Sequence, residues 1–314
     1  MADAQLEAYD KNDGALVWHH PFERYVPKSL VADVGRIFVA EAAVYALDSK
    51  SGQVEWRVSI DGNAALCSPV VLEGVLYVGT STHKLYALNA MDGKALWSQD
   101  LEPDAKYAAV VTGVAGEGAA LFVSLQKWRT QNGSESSAVL YKLDSRSGKQ
   151  IWRMEEYSAN EGHGFSSAPM ITEGLVLESD FASNSIFAFD SDTGSEKWRF
   201  EGERGFAGFS ESPHVDGTTV YAASPDTFVY AINLSNGKLI WRAKMPGSNL
   251  ALGVCEDHLV VSYQRLALLD KNGGKVSAID IQLEHNGSIS SKIAVENGAA
   301  FVAGPRAVYK FACR

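Results

Sequence analysis

Apolar and polar residues alternate with a period of two in short runs along the whole chain, and each run is closed by Gly, Asp or Asn. Residues 65–97 show the unit once. Cys67-Ser68-Pro69-Val70-Val71-Leu72 reads as a first strand, Glu73-Gly74 as a tight turn and Val75-Leu76-Tyr77-Val78-Gly79 as a second strand. A short loop over residues 80–83 leads to a third strand over 84–89. The turn at Met91-Asp92-Gly93 then starts a fourth that ends at Trp97. The pattern predicts a four-stranded antiparallel meander whose turns are made by Asp or Asn and Gly.

The turn between third and fourth strands carries a phrase that returns seven times: an apolar strand, Asp or Asn, Gly four residues on, and Trp four residues after that. Val44-Tyr45-Ala46-Leu47-Asp48 runs to Gly52 and Trp56, and Leu85-Tyr86-Ala87-Leu88-Asn89 runs to Gly93 and Trp97; weaker copies begin at Leu6, Leu140, Ile186, Val229 and Leu266. The turn glycines are Gly14, Gly52, Gly93, Gly148, Gly194, Gly237 and Gly274, and their mean spacing of about 43 residues is the size of a propeller blade. In the last copy Ala278 stands where the Trp should be. First-and-second strand pairs number seven, at residues 29–39, 67–78, 110–123, 167–177, 212–222, 250–261 and 290–302. Third strands number eight, because residues 308–311 add one to the copy at residues 6–9, and fourth strands number seven. The count predicts an all-β, seven-bladed β-propeller of four-stranded antiparallel blades, forming one domain over residues 1–314. Its ring is closed by joining the N- and C-terminal strands, and closure hides sheet edges. One third strand, at residues 6–9 or 308–311, is left to be displaced or to add to an edge.

The repeated residues have structural work. Asp or Asn opens the turn by bonding its own backbone, Gly takes a positive φ, and Trp buries a flat surface between neighbouring blades. Asp190-Ser191-Asp192-Thr193-Gly194 looks like a calcium loop, but its counterparts lack the second acid and no Glu follows at the required spacing, so it reads as a turn.

Composition narrows the functional classes. Hydrophobic residues make up 46% of the chain, ample for a core, and the 38 acidic against 28 basic residues argue against a nucleic-acid footprint. No apolar run approaches the roughly 18 residues of a membrane span. Met1-Ala2-Asp3-Ala4 does not resemble a signal peptide. Cys67, Cys255 and Cys313 have no metal spacing. Cys67 and Cys255 sit in strand patterns, where a buried, inert thiol is expected. A monomer is expected.

Candidate chemistry lies where the phrase is interrupted, because loops longer than the minimum are more often functional. The largest interruption, read as a loop, is residues 126–137. It holds Lys127, Trp128 and Arg129, and Trp128 is the only Trp outside the motif. Such a Trp flanked by cations suits a binding surface; alternatively it folds over the rim as a plug. The connections after Trp152 and Trp198 follow, with Tyr157, Glu161, His163 and Phe165 in one and Arg204, Phe206, Phe209 and Glu211 in the other. Arg265 and His285, with Tyr25, Tyr107, Asn249, Gln264 and Asn286, complete the same mouth of the central channel. His163, Glu161, Arg204 and Glu211 are the residue types of acid–base catalysis, although a channel mouth is polar in any case. Metal binding would need more convergent ligands.

Tyr-Ala-Leu-Asp, then Gly-Lys, then Leu-Trp resembles the PQQ-like repeat, the tryptophan-docking motif of quinoprotein propellers. Residues 85–97, 44–56 and 229–241 match best, and degenerate copies cover essentially the whole chain. Quinoprotein alcohol dehydrogenases of this superfamily use pyrroloquinoline quinone and calcium, with adjacent cysteines beside the quinone. No Cys-Cys pair occurs here and the calcium-binding Glu, Asn and Asp cannot be placed on this sequence, so the resemblance implies the blade without either cofactor. The non-catalytic, BamB-type propellers of the superfamily are similar in repeat style and bind partner proteins. That resemblance implies a non-enzymatic scaffold for a protein or peptide, in a periplasmic or extracellular setting. An enzyme (a lyase, a hydrolase or a degenerate quinoprotein) and the sensing domain of a larger receptor are the alternatives.

Overall fold

The computed structural model describes residues 5–22, 30–64, 67–104, 106–129, 135–158, 164–203, 208–247, 250–262, 266–279, 293–296, 298–303 and 308–312. The chain divides into two units, Met1–Ile171 and Thr172–Arg314. Among the described residues every regular element is a β-strand, and no helix is long and apolar enough to cross a membrane.

The first unit opens with β1 (Gln5–Tyr9) and β2 (Leu16–Pro21), an antiparallel hairpin. Four-stranded meanders follow: β3 (Leu30–Asp33), β4 (Arg36–Ala40), β5 (Ala43–Asp48) and β6 (Val54–Ser59); β7 (Val70–Leu72), β8 (Val75–Gly79), β9 (Lys84–Asn89) and β10 (Ala95–Asp100); β11 (Tyr107–Glu117), β12 (Ala120–Arg129), β13 (Ser136–Asp144) and β14 (Gln150–Ser158). The unit boundary falls in β15 (Met170–Thr172), which joins β16 (Leu175–Asp180), β17 (Ser185–Asp190) and β18 (Glu196–Glu201). The second unit continues with β19 (His214–Asp216), β20 (Thr219–Ser224), β21 (Phe228–Asn233) and β22 (Leu239–Lys244), then β23 (Ala251–Val254), β24 (His258–Ser262), β25 (Leu266–Asp270) and β26 (Val276–Ile279). It ends on three strands, β27 (Ala294–Glu296), β28 (Ala299–Ala303) and β29 (Val308–Ala312).

Sequential pairing of this kind follows from the turns. In each third-to-fourth turn the Asp or Asn side chain accepts from backbone N–H groups two or three residues on, as Asp48 Oδ1 does from Ser51 N at 2.8 Å and Asn89 Oδ1 from Met91 N at 2.8 Å. Asp190 is held the same way by Thr193 N at 2.9 Å, with Lys197 Nζ 3.0 Å from its other oxygen, so the turn reading of that segment stands.

The motif Trp joins one meander to the next. The indole of Trp56 lies on Gly93, where a Cβ would fall 2.7 Å from Trp56 Cε3, and its Nε1 donates to Ala90 O at 3.2 Å. The same dock is made by Trp18 on Gly52, Trp97 on Gly148, Trp198 on Gly237 and Trp241 on Gly274. In each, the indole N–H donates to the carbonyl three residues before the glycine, at 2.7 to 3.1 Å. The docking glycine is therefore required twice, for a φ between +61° and +71° and for the absence of a side chain under the ring. Behind the docks, apolar residues of adjacent meanders interdigitate: Phe38, Val44 and Ala46 pack against Leu76, Val78 and Leu88.

Two expectations change at the chain ends. The five terminal strands are divided two and three, with β1 on β2 and β29 on β28, so neither third strand is displaced among the described residues. Leu6 of β1 packs on Val39 and Leu47 as Val44 packs on Val78 and Leu88 one meander later, which puts β1 in an ordinary third-strand place. The second change is Cys255. It is disulfide-bonded rather than an inert thiol, with its partner outside the described residues, while Cys67 is a buried thiol as expected.

Candidate protein-binding surface at the long blade

One sheet departs from the rest. Strands β11 to β14 run 11, 10, 9 and 9 residues, whereas every other described strand has 3 to 6. Three extra residues per strand carry the β12–β13 hairpin about 10 Å past its neighbours. Residues 126–129 and 136–137, expected as loop, are paired strand. Trp128 lies opposite both Ala108 and Ser136, and Arg129 N donates to Glu135 O at 3.1 Å to narrow the hairpin. The alternation of the sequence simply continues outward, and the small partners Ala108 and Ser136 leave room beside the indole.

The extension stands on a charged base whose centre, Lys127 and Glu102, is buried. Lys127 points inward, its ammonium 3.0 Å from Glu102 Oε2, 3.3 Å from Glu155 Oε1 and over the ring of Tyr107. Arg153 donates to Glu102 Oε1 from Nη2 at 2.6 Å and to Glu155 Oε2 at 2.6 Å. Tyr141 OH donates toward Glu102 Oε1 at 2.8 Å and Leu101 O at 2.5 Å. Register explains the convergence. Tyr141 faces Arg153 across β13 and β14, Val139 faces Glu155, and Lys127 faces Ser137, so all project from one side of the sheet. Glu102 reaches them from the connection that follows β10. Burial pushes the Glu102 carboxyl up, but the bonds from Arg153, Tyr141 and Lys127 outweigh it and hold it below the usual carboxylate range. Glu155 behaves alike, burial being outweighed by Arg153, Ser137 and Lys127. Burial and Glu102 both push the Tyr141 hydroxyl up. Two cations meet two anions, every member is paired, and neither carboxylate is protonated at neutral pH. The cluster is thus a rigid, charge-balanced support rather than a proton-transfer site.

Other expected site residues are placed unevenly. Lys127 is not the surface cation expected beside Trp128; only 9% of it is exposed. Phe165 and Phe209 are fully buried and make no surface, Phe209 because it packs edge-on against Tyr230 beside Phe200. Tyr157 belongs to the end of β14, not to a loop. Glu211 is half-buried, its carbonyl accepting from Ser179 Oγ at 2.7 Å. Trp128 is half-buried and Arg129 exposed, with Arg129 Nη1 3.3 Å from the Glu135 carboxylate. Glu161, His163, Arg204, Phe206, Arg265 and His285 lie outside the described residues, as do the channel-mouth residues Tyr25, Asn249, Gln264 and Asn286. Among the described residues no group of three or more His, Cys, Asp or Glu is placed to hold a metal ion.

Two recurrent devices were not anticipated. An Arg directly after the motif Trp stacks on a third-strand aromatic ring: Arg57 on Tyr45 at 5.4 Å, Arg153 on Tyr141 at 5.5 Å, Arg199 on Phe187 at 4.4 Å and Arg242 on Phe228 at 5.2 Å. An acid five residues after the Trp reaches the next meander: Asp61 pairs with Lys84, Glu102 with Arg153, and Glu203 with Arg242.

A family model described as "Outer membrane protein assembly factor BamB" matches residues 2–131 and 135–308. The BamB of Moranella endobia is 28% identical over 259 residues, covering 75% of this chain and 61% of that protein. A quinohemoprotein alcohol dehydrogenase of Pseudomonas putida, ADH IIB, is 28% identical over 157 residues, covering 46% of this chain and 21% of that enzyme. The chain thus spans less than two thirds of these curated relatives. The crystal structure of BamB from Moraxella catarrhalis superposes with a TM-score of 0.73 at 14% identity, covering 99% of this chain and 91% of that one, and assigns the sheets as blades of a β-propeller.

Proposed function

The chain belongs to the family of the outer membrane protein assembly factor BamB, and on that premise we propose that it is a non-enzymatic scaffold binding a protein or peptide at the tip of its long blade. The observation that carries this reading is the β12–β13 hairpin, extended past its neighbours, carrying Trp128 and Arg129 at the end of β12 and held from beneath by a paired charge cluster. A rigid aromatic beside an Arg is the composition of binding hot spots. The partner is a component or substrate of outer-membrane protein assembly, the compartment is the periplasm, and no quinone, calcium or other cofactor takes part. The disulfide at Cys255 supports an oxidising compartment. A photo-reactive amino acid replacing Arg129 should give a covalent partner adduct in cells of the source organism, and the same residue replacing Glu117, at the opposite end of the sheet, should give none. Adducts at 117 alone would refute the assignment.

A further inference from the structure

The last turn of the motif series differs from its six counterparts at one position. In those, the residue before the docking glycine is Asp13, Ser51, Asp92, Ser147, Thr193 or Asn236. Its side chain accepts from the backbone N–H two residues on, as Asp13 does from Ala15 at 2.8 Å, Asp92 from Lys94 at 3.1 Å and Asn236 from Lys238 at 3.0 Å. In the turn from Asp270 to Gly274 this place belongs to Gly273, which has no side chain to accept. The turn is correspondingly slack. Asp270 N lies 3.1 Å from Lys275 O, where the other six copies close at 2.8 to 2.9 Å. Lys271 N lies 3.5 Å from Asp257 O, where Ser49, Ala90, Ser145, Ser191 and Leu234 make the corresponding bond at 2.8 to 3.0 Å.

The same exchange puts Asn272 before a glycine. An Asn-Gly pair is chemically labile, because a following residue without Cβ brings its main-chain nitrogen onto the Asn side-chain carbon with little hindrance. Asn236-Gly237 is the same pair in another turn, and its surroundings oppose that approach. Gly237 N–H is committed to Asn233 O at 2.9 Å, the Asn236 amide is held by Lys238 N, and the Trp198 ring lies over Gly237, 2.7 Å from a Cβ placed there. At Asn272-Gly273 none of these restraints is present among the described residues. The Gly273 N–H and the Asn272 side chain have no hydrogen-bond partner there, nothing lies within 4 Å of a Cβ on Gly273, and both residues are exposed.

We propose that Asn272-Gly273 is a self-modifying site whose product releases Trp241 from its dock. The Gly273 nitrogen, its proton lost to hydroxide, bonds to Asn272 Cγ. The Cγ–Nδ2 bond breaks, and that nitrogen leaves as ammonia with a proton from water. Water then opens the cyclic imide at either carbonyl, giving aspartate or isoaspartate at position 272. Isoaspartate routes the main chain through the side-chain carbon and so adds one methylene between Lys271 and Gly274. Those residues are the two ends of the dock: Lys271 O accepts from Trp241 Nε1 at 2.7 Å, and Trp241 Cε3 lies 2.6 Å from a Cβ placed on Gly274. Lengthening the segment between them moves the acceptor away from the indole. Aspartate adds charge without length and leaves the dock in place.

The test holds the full chain in mildly alkaline buffer below its unfolding temperature and follows both pairs by peptide mass spectrometry, with isoaspartate methyltransferase labelling to separate the two products. Position 272 should convert about tenfold or more faster than position 236 in the folded chain, and the two should convert alike in denaturant. The aged chain should melt about 2 °C or more below fresh protein, while aged Asn272→Ser and fresh Asn272→Asp stay within about 1 °C of it. Equal conversion at 236 and 272 in the folded chain, or none at 272, would overturn the site. Conversion at 272 with an unchanged melting temperature, or a fall that persists in aged Asn272→Ser, would overturn release of the dock. Should Asn272→Ser not fold, the ratio of the two positions within the unsubstituted chain decides the site, and fresh Asn272→Asp against the aged chain decides the release.

Discussion

Gly93→Ala is expected to destabilise the protein by about 3–4 kcal/mol, while Gly74→Ala costs about 1 kcal/mol. Both glycines have left-handed backbone, φ +71° and +77°, so both substitutions carry the same conformational strain. They differ in what the new methyl meets. At Gly74 nothing lies within 4 Å, but at Gly93 the methyl would fall 2.7 Å from Trp56 Cε3 and 2.9 Å from Val58 Cγ2. The indole cannot move aside without losing its hydrogen bond to Ala90 O. Denaturant titration of both variants checks the difference. A cycle with Trp56→Ala sharpens it: that change alone should cost about 3–5 kcal/mol, and in its background Gly93→Ala should fall to about 1–2 kcal/mol, the contact with Val58 remaining. Equal costs for Gly93→Ala with and without Trp56 would show that the dock contributes no specific energy.

The second large effect concerns the base of the long blade. Glu102→Ala is expected to cost about 3 kcal/mol, because it leaves Lys127 and Arg153 sharing Glu155 alone in a site where their side chains are 11% and 25% exposed. The pH dependence has a definite sign. The folded-state Glu102 carboxyl is held below its ordinary value, so its contribution is fully present above about pH 4.3 and is lost as pH falls through the folded-state value. Acid unfolding should therefore be shallower in Glu102→Gln than in the parent, measured as stability between about pH 5 and pH 2. An unchanged acid slope would mean that the cluster contributes no linked stability.

The blades were legible in the sequence because their signals are local. Alternation, turn acid, turn glycine and Trp all fall within a few residues of one another. Strand lengths were less legible: residues 126–129 looked like loop because Lys127 interrupts an apolar run. A buried Lys is tolerable only where carboxylates converge, and Glu102 and Glu155 lie 25 and 28 positions away in the chain. The same blindness to distant partners misassigned Phe209, whose ring is covered by Phe200 and Tyr230. Cys255 was misread for the same reason, since a disulfide depends on a partner that spacing alone does not reveal. The Trp-Arg pair and the acid five residues after Trp were readable in principle. Trp56-Arg57, Trp152-Arg153, Trp198-Arg199 and Trp241-Arg242 share the first, and Asp61, Glu102 and Glu203 share the second. Counting positions relative to Trp, rather than to Gly, would have exposed both. The division of the terminal strands into two and three was not decidable from counting, whereas the strand pairing shows β1 on β2 and β29 on β28 in separate sheets.

The central claim is that binding resides at the tip of the long blade and stability resides beneath it. The most direct measurement pairs partner capture with thermal unfolding for the double variant Trp128→Ala, Arg129→Glu. Both residues lie beyond the charge cluster, so capture should fall about tenfold or more while the melting temperature stays within about 2 °C of the parent. Undiminished capture, or a melting temperature lower by several degrees with capture intact, would contradict the claim and make Trp128 a structural plug of the blade.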